Sequence, residues 1–259
     1  MKINRCLKTG LAFYLAVALV GFLTSCTAKN PRLAGVHFDK GVALIQQGQY
    51  TSALKELLDA KKINSDDPAI RYYLGVAYHG KKLNQEAIAE FKEAISLKAN
   101  YSDAHNYLGT VYSEMGSWDE AIEEYKKAIS NILYETPAGA FNNMGYAYYK
   151  KGDYQAALSS FDEALAKDAN TPLIPLIEKN RGMTYFAMGR IKEAIRHLKK
   201  SLESAPDFPE THYGLAKCYL ELKNLKAATE ELNLVVKTAP DSELGIKAKE
   251  ALSAIAASR

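Results

Sequence analysis

The chain is dominated by one internal repeat. A small residue recurs in six successive segments, at spacings of 34, 34, 36, 37 and 34 residues. The six residues are Gly41, Gly75, Gly109, Gly145, Gly182 and Ala216. Each is followed twelve residues later by alanine, and four positions further on by Leu, Phe or Tyr. A period of this length indicates that each segment is one supersecondary unit, which buries its apolar face only by stacking on its neighbours.

Helical periodicity within each segment predicts an all-α fold. Apolar residues recur at i, i+3, i+4 and i+7, the pattern of an amphipathic helix, and each segment holds two such stretches. A small residue in the first helix, facing alanine in the second, predicts that the two backbones approach closely. Glycines in the turns between them are expected to adopt positive φ: Gly48, Gly116, Gly152 and Gly189. Ser117 and Glu120 have the spacing of a capping box.

These recurring positions resemble the tetratricopeptide repeat, whose period is about 34 residues. The resemblance covers residues 34–242 and implies a right-handed α-solenoid of six repeats. Because the last repeat has no following neighbour, its apolar face needs a cover. Apolar residues between Glu243 and Ala257 predict a C-terminal capping helix within the segment 243–259.

The first 25 residues have the organisation of a secretory signal peptide. The apolar run Leu11–Leu23 is 13 residues long, whereas a helix needs about 20 apolar residues to cross a bilayer. Lys2, Arg5 and Lys8 supply a basic segment ahead of the run. A membrane anchor or a buried core helix is the alternative interpretation.

The sequence LTSC at residues 23–26 resembles the bacterial lipobox. The resemblance implies cleavage of residues 1–25, a covalent lipid on Cys26 and a short tether over residues 26–33. Because Thr27 stands where Asp would favour the inner membrane, resemblance to Gram-negative lipoproteins implies the periplasmic face of the outer membrane. Lipid chains bind a protein to a membrane without a transmembrane helix, so we expect the repeats to lie close to the bilayer.

The charge balance argues against a nucleic-acid partner. The chain has 33 Lys and Arg residues against 30 Asp and Glu residues, and three of the basic residues lie in the signal segment. Removal of that segment leaves a formally neutral protein, whereas nucleic-acid-binding domains carry a basic face. Cys6 would leave with the signal and Cys26 would carry lipid. Cys218 would then be the remaining thiol, and we expect it to be buried as a small apolar side chain.

The repeats show no pattern that predicts catalysis, a metal site or a small-molecule substrate. Gly75 to Lys81 matches most of a phosphate-binding loop, but Lys82 replaces the required Ser or Thr and no strand precedes it. Ser52 and Lys55 have an acyl-enzyme spacing without its companion motifs. The five histidines lack the H-x-x-x-H spacing of zinc sites. The sequence therefore predicts a non-enzymatic protein with no cofactor apart from the covalent lipid.

Two of the repeat spacings contain extra residues. The segment SNILYETPAGAF (130–141) carries two of them, and DANTPLIPLIEKN (168–180) carries three. Loops absorb extra length at low cost, so tolerated insertion is one interpretation of both segments. The motif Leu133-Tyr134-x-x-Pro137 in the first resembles the insertion in type IV pilus biogenesis lipoproteins of the PilF/PilW kind.

That resemblance implies a specific function. Members of the family are lipidated repeat proteins that act as pilotins, which help the outer-membrane secretin pore to reach the membrane and to multimerise. The chain would then be a membrane-anchored interaction scaffold with a secretin as its protein partner. A repeat lipoprotein that serves outer-membrane barrel assembly or a cell-wall hydrolase is the alternative.

By resemblance to the repeat family, residues of each first helix line a concave groove that binds a protein partner. The residues assigned to this groove are Phe38, Val42, Ile45, Tyr72, Val76, Asn142, Tyr146, Tyr149, Phe186 and Tyr213. Aromatic side chains are enriched at binding hot spots, although some of these tyrosines could instead pack between repeats. Because no repeat precedes the first one, its three residues are expected to form an exposed apolar patch.

Overall fold

The computed structural model describes residues 31–257 of the protein. Within this range every regular element is an α-helix, which confirms the all-α class. The thirteen helices are α1 (Pro31–Gln46), α2 (Tyr50–Ile63), α3 (Pro68–Gly80), α4 (Asn84–Leu97), α5 (Ser102–Glu114), α6 (Trp118–Ser130), α7 (Pro137–Lys151), α8 (Tyr154–Lys167), α9 (Ile174–Ala187), α10 (Ile191–Ser204), α11 (Pro209–Glu221), α12 (Leu225–Thr238) and α13 (Glu243–Ala257). None of these helices has the length and apolarity needed to cross a membrane. The predicted signal segment and Cys26 lie outside the described residues.

The chain divides into two compact units, with the boundary between Leu83 and Asn84. In the first unit, α1, α2 and α3 pack around a core that includes Leu57 and Leu74, both 0% exposed. Gly41 lies against Leu57, because a Cβ atom at Gly41 would come within 2.6 Å of the Leu57 Cγ. The first helix pair therefore packs as closely as the small residue at this position predicts.

In the second unit, each helix from α4 to α13 packs against the next. The large side chains on the second helices fill the space beside the small residues of the first helices. Those at most 1% exposed include Tyr125, Phe161, Leu198 and Leu232. A Cβ atom at Gly109 would lie 2.7 Å from Tyr125 Cε1, and one at Gly145 would lie 2.6 Å from Phe161 Cε1. These distances confirm the predicted close approach of paired helices.

A residue with positive φ occupies the turn inside each repeat. The four predicted turn glycines have φ between 71° and 85°, which confirms that prediction. The equivalent positions in the second and sixth repeats hold Lys82, with φ of 61°, and Lys223, with φ of 56°. A residue with a Cβ atom is strained in this region by about 1–2 kcal/mol, so these two turns are less favourable than the glycine turns.

The predicted capping box at Ser117 was wrong. Ser117 is the N-cap residue of α6, with φ of −80° and ψ of 69°, but its side chain makes no capping hydrogen bond. Asp153 and Asn224 have similar backbone angles, and each accepts a hydrogen bond of 3.1 Å from the backbone N–H three residues later. Their side chains are one bond longer than that of serine, and they therefore reach the helix backbone from this less extended conformation.

The helix α13 covers the end of the second unit. It runs from Glu243 to Ala257, the range in which the sequence predicts a capping helix. Ala248 and Ile255 are buried in a cluster with residues of α11 and α12, whereas Ile246 is 51% exposed. The two insertions form the connections 131–136, before α7, and 168–173, before α9.

Candidate functional site

Two adjoining cavities lie on the second unit, where α5, α7, α9 and α11 contribute most of the lining side chains. Their volumes are about 540 Å³ and about 230 Å³, and Tyr146, Lys179 and Asn180 line both. We call this surface the α5–α11 groove. Its other lining residues are Thr110, Ser113, Glu114, Trp118, Tyr125, Asn142, Asn143, Tyr149, Leu176, Met183, Glu210, Tyr213 and Leu244.

A chain of asparagine side chains crosses the base of the groove from α9 to α5. Asn180 Nδ2 donates to Asn142 Oδ1 at 3.0 Å, and Asn142 Nδ2 donates to Asn143 Oδ1 at 3.4 Å. Asn143 Nδ2 then donates to Asn106 Oδ1, also at 3.4 Å. Each asparagine amide has two donor hydrogens and two acceptor lone pairs. The chain therefore keeps capacity for hydrogen bonds to a bound polar group.

Aromatic rings form one side of the groove. Trp118 and Tyr146 meet edge to face with ring centroids 6.4 Å apart, and Tyr146 lies 6.2 Å from Tyr149. Tyr149 continues the row to Tyr154 at 6.1 Å. Tyr146 remains 39% exposed, although most aromatic rings of the second unit are more deeply packed. Packed, partly exposed aromatic rings provide the rigid apolar contact area on which protein binding sites depend.

The groove also contains charged groups of both signs. Burial lowers the pKa of the Lys179 ammonium, and the nearby Glu210 carboxylate raises it in part. The Lys179 Nζ atom lies 5.9 Å from the ring centroid of Phe208, and no carboxylate of residues 31–257 forms an ion pair with it. Glu114 lines the larger cavity and Glu210 the smaller one. A ligand in this groove would therefore meet a partly desolvated cation beside carboxylates.

Four of the five groove residues assigned in the second unit line these cavities. Asn142, Tyr146, Tyr149 and Tyr213 are lining residues, and Asn142 is only 3% exposed. Phe186 is not among the lining residues, since its side chain packs with the cluster around Leu198 and lies under the Lys217 Nζ atom at 4.6 Å.

The five groove residues assigned in the first unit are partly buried, and their role in partner binding stays a prediction. Phe38, Val42, Ile45, Tyr72 and Val76 are all half-buried. The Phe38 and Ile45 side chains pack on the core of the first unit. The expectation that the first three form an exposed patch was therefore wrong. The structure provides the physical reason, because α3 folds against α1 and covers its apolar side within the same unit.

The pattern of groove positions did not reveal several lining residues. Trp118 is the single tryptophan of the chain and begins α6, the second helix of its repeat. The predicted groove residues lie on the first helices of the repeats only. Asn143 and Asn180 both stand two residues before a repeat position, Gly145 and Gly182. A polar amide at the same place in two successive repeats was the available signal for the asparagine chain.

Four histidines form short hydrogen bonds with glutamates inside individual repeats. Their Nδ1 atoms lie 2.6–2.7 Å from a carboxylate oxygen in the pairs His37–Glu56, His105–Glu124, His197–Glu178 and His212–Glu231. Each pair joins the two helices of one repeat. In the fifth repeat the order is reversed, with Glu178 on the first helix and His197 on the second. The two residues have exchanged helices, but the contact between them is kept. We therefore infer that these histidines stabilise the helix pairs.

Glu178 is the most deeply buried of the four glutamates. It is 0% exposed, and Lys200 Nζ lies 2.8 Å from its Oε1 atom. Burial raises the pKa of the Glu178 carboxyl, but hydrogen bonds from His197 and Lys200 outweigh that effect and hold the pKa at about 2. The carboxylate is therefore ionised at neutral pH and fixes α9 to α10.

The His, Cys, Asp and Glu side chains do not assemble into a metal site in the described part of the chain. Between residues 31 and 257, no group of three or more His, Cys, Asp or Glu side chains could hold a metal ion. Cys218 is 0% exposed, as predicted. Burial raises the pKa of its thiol to about 11, so the reactive thiolate is scarce at neutral pH.

The fold is similar to several solved structures. PilW, a widely conserved type IV pilus biogenesis factor, matches with a TM-score of 0.75 and 21% identity, over 83% of this chain and 97% of its own. PilF of Pseudomonas aeruginosa matches with a TM-score of 0.72 and 14% identity, over 85% of this chain and 98% of its own. The APC/C assembly Cut9–Hcn1 matches with a TM-score of 0.74 and 18% identity, over 87% and 43%. At these identities the likeness establishes the fold.

Relatives in sequence match a part of the chain. The TPR repeat-containing thioredoxin TTL4 of Arabidopsis thaliana is 31% identical over 88 residues, which are 34% of this chain and 12% of that protein. DnaJ homolog subfamily C member 7 of Mus musculus is 32% identical over 91 residues, or 35% and 18% of the two chains. The matched region thus spans less than a fifth of either relative.

Family models match nearly all of the described chain. Tetratricopeptide-repeat models match residues 69–101, 100–170, 136–207 and 185–252, and a TPR-repeat model matches residues 30–82. Stacked repeats of this kind build extended surfaces that bind other proteins. The chain belongs to the tetratricopeptide-repeat family.

Proposed function

We propose that this protein is a lipid-anchored scaffold that binds other proteins at the periplasmic face of the bacterial outer membrane. More specifically, we propose that it is a pilotin, which assists the localisation and multimerisation of an outer-membrane secretin in type IV pilus biogenesis. In this role the repeats bind the secretin and the lipid on Cys26 holds the complex at the membrane. No catalytic step is required.

The observation that carries this proposal is the combination of two sequence features in one repeat protein. The lipobox ends at Cys26, directly ahead of the first repeat, and the insertion with Leu133, Tyr134 and Pro137 separates the third and fourth repeats. Both resemble features of the pilus biogenesis lipoproteins. The fold agrees with this proposal, since the chain matches 97% of PilW and 98% of PilF along their own lengths.

We assign partner binding to the α5–α11 groove. An extended peptide carries backbone N–H and C=O groups that need hydrogen-bond partners when buried, and the asparagine chain offers such partners. Trp118, Tyr146 and Tyr149 offer apolar surface beside them. A protein segment that lies along this groove would thus satisfy its polar backbone and bury its side chains in the same place.

The proposed anchor limits the distance between the membrane and the first repeat. Five residue steps separate Cys26 from Pro31, where α1 begins. A chain of this length reaches at most about 18 Å. A scaffold held this close to the bilayer suits a partner that is itself inserting into the membrane.

Co-purification of the secretin with the full-length lipidated protein tests the proposal. We expect the wild-type protein to retain the secretin. Tyr146→Ala should weaken binding by tenfold or more, a loss of at least about 1.4 kcal/mol, because aromatic residues carry much of the binding energy at protein interfaces. Leu222→Ala is the matched control, because Leu222 is 50% exposed and lies outside the groove. It should retain the secretin fully.

The outcomes separate the parts of the proposal. Retention of the secretin by Tyr146→Ala at the wild-type level would reject the groove as the binding surface and keep the pilotin role. Recovery of outer-membrane barrel-assembly components or a cell-wall hydrolase, without secretin, would reject the pilotin role and favour the alternative function.

A further inference from the structure

The connection between α6 and α7 presents two adjacent aliphatic side chains to solvent. Ile132 is 96% exposed and Leu133 is 81% exposed. Among the large apolar residues that the structure describes, the next most exposed is Val36, at 62%. Single exposed apolar residues are common on protein surfaces. An adjacent pair with almost its entire surface in water is a candidate contact site.

Hydrogen bonds hold the base of this loop in one conformation. The Asn131 Nδ2 atom donates to Ser102 Oγ at 3.0 Å and to the Asn100 carbonyl at 3.3 Å. The Leu133 N–H donates to Asn131 Oδ1 at 3.0 Å, and the Tyr134 N–H donates to the Asn131 carbonyl at 3.0 Å. The two aliphatic side chains are therefore presented by a turn that is tied to the preceding repeat.

Tyr134 is directed towards the protein, whereas the side chains of Ile132 and Leu133 are exposed to solvent. Its side chain is half-buried, and burial raises the pKa of its hydroxyl while hydrogen bonds with Thr136 and Asn106 lower it. Asn106 is also the last member of the asparagine chain. Tyr134 packs on the inner side of the turn, and Ile132 and Leu133 lie on its outer side. Because the turn is already held in one conformation, a partner that binds these two side chains would lose little entropy by ordering the backbone.

Carboxylates border the loop. A cavity of about 360 Å³ beside Leu133 is lined in part by Asp103 and Glu135. Partial desolvation raises the pKa of the Asp103 carboxyl, Lys98 lowers it, and the neighbouring Glu135 carboxylate raises it further. The Lys98 Nζ atom lies 4.5 Å from the centroid of the Tyr101 ring. The rim around the aliphatic pair therefore carries two acidic groups and one basic group.

We propose that Ile132 and Leu133 form a docking element that binds a partner-protein segment rich in apolar and basic side chains. Charge complementarity selects this occupant. An anionic lipid surface would repel the Asp103 and Glu135 carboxylates. A second copy bound through the same loop would bring identical acidic rims together. The element lies apart from the α5–α11 groove and does not depend on the pilotin role.

Selection from a display library of random peptides tests this inference on the full-length protein. We expect enrichment of peptides that combine an aromatic or aliphatic cluster with Lys or Arg residues. The double variant Ile132→Ser, Leu133→Ser should weaken the binding of an enriched peptide by about tenfold or more, which corresponds to a free-energy loss of at least about 1.4 kcal/mol. The melting temperature should be unchanged, because both side chains are exposed.

Two further variants make the test specific. Glu135→Lys should weaken binding of the basic peptides, and Leu222→Ser should leave it unchanged. Enrichment of no such peptide, or peptide binding that the double variant leaves intact, would overturn the inference. So would loop-dependent sedimentation with phosphatidylglycerol vesicles in place of peptide binding, or loop-dependent dimers in light scattering, since these outcomes would identify a lipid surface or a second copy as the occupant.

Discussion

Replacement of Gly109 by alanine tests the packing that defines the repeat. The added Cβ atom would lie 2.7 Å, 2.8 Å and 3.0 Å from the Cε1, Cδ1 and Cζ atoms of Tyr125. Ordinary contacts between carbon atoms begin at about 3.5 Å, so three ring atoms would have to move. The ring is 1% exposed, and its hydroxyl is hydrogen-bonded to Ser113 at 3.1 Å and Thr110 at 3.5 Å. A retreat of the ring from the added Cβ atom would break these two hydrogen bonds.

The expected cost follows from two opposing effects. Overpacking of this kind costs about 1–3 kcal/mol, and contact with three ring atoms places Gly109→Ala near the upper end of that range. Alanine is a better helix former than glycine by about 1 kcal/mol. The net loss in free energy of unfolding should be about 2 kcal/mol, measured from equilibrium unfolding in guanidinium chloride.

A matched control and a second-site change make this prediction decisive. A Cβ atom at Gly139 would meet only Leu173 Cδ1, at 3.9 Å, so Gly139→Ala should leave stability unchanged or raise it. Combining Gly109→Ala with Tyr125→Leu should give a smaller loss than the sum of the two, with a coupling of about 0.5–3 kcal/mol. Additive losses, or a Gly109→Ala protein as stable as Gly139→Ala, would show that close packing of Gly109 on Tyr125 does not contribute to stability.

Three further predictions concern charge, thiol reactivity and turn strain. The pKa of the Glu178 carboxyl is about 2 in the folded protein, against an ordinary value of 4.5. The ionised carboxylate therefore stabilises the fold fully above pH 4.5, and this stabilisation is lost as the pH falls towards 2. Glu178→Gln should thus lower stability at pH 7 more than at pH 3 in chemical unfolding, and equal losses would contradict this pairing. Cys218 should react with a thiol reagent only after denaturant is added, and rapid labelling of the native protein would show that it is accessible. Lys223→Gly should raise the unfolding midpoint by relieving a positive φ of 56°, a gain of about 1 kcal/mol, whereas Lys226→Gly, inside α12, should lower it.

The repeat architecture could be predicted because each of its features depends on residue size and spacing. Gly109 faces Tyr125 and Gly145 faces Phe161, since only a residue without a Cβ atom leaves room for those rings. The turn glycines follow from the positive φ that ends each first helix. The small residue of the first helix recurs in all six repeats and the turn glycine in four of them, so the pattern can be read from the sequence alone.

The parts that could not be predicted depend on the reach of individual side chains. Ser117 has the spacing of a cap, but its side chain is too short for the backbone angles that the turn imposes. Phe38 has a groove position, but α3 supplies Tyr73 as a partner, with ring centroids 5.4 Å apart. The asparagine chain depends on contacts between helices of different repeats. The exposure of Ile132 depends on the absence of such contacts in a loop. The spacing of residues within one repeat does not predict either feature.

If this repeat protein acts on a secretin from a lipid anchor, secretin multimers should depend on both the protein and its lipid. The most direct test measures secretin multimers on a semi-denaturing gel in cells that carry the wild-type gene, a deletion, or the Cys26→Ala variant. We expect multimers with the wild-type gene and secretin monomers in both altered strains, with the variant protein released from the membrane fraction. Unchanged secretin multimers in the deletion strain would contradict this expectation.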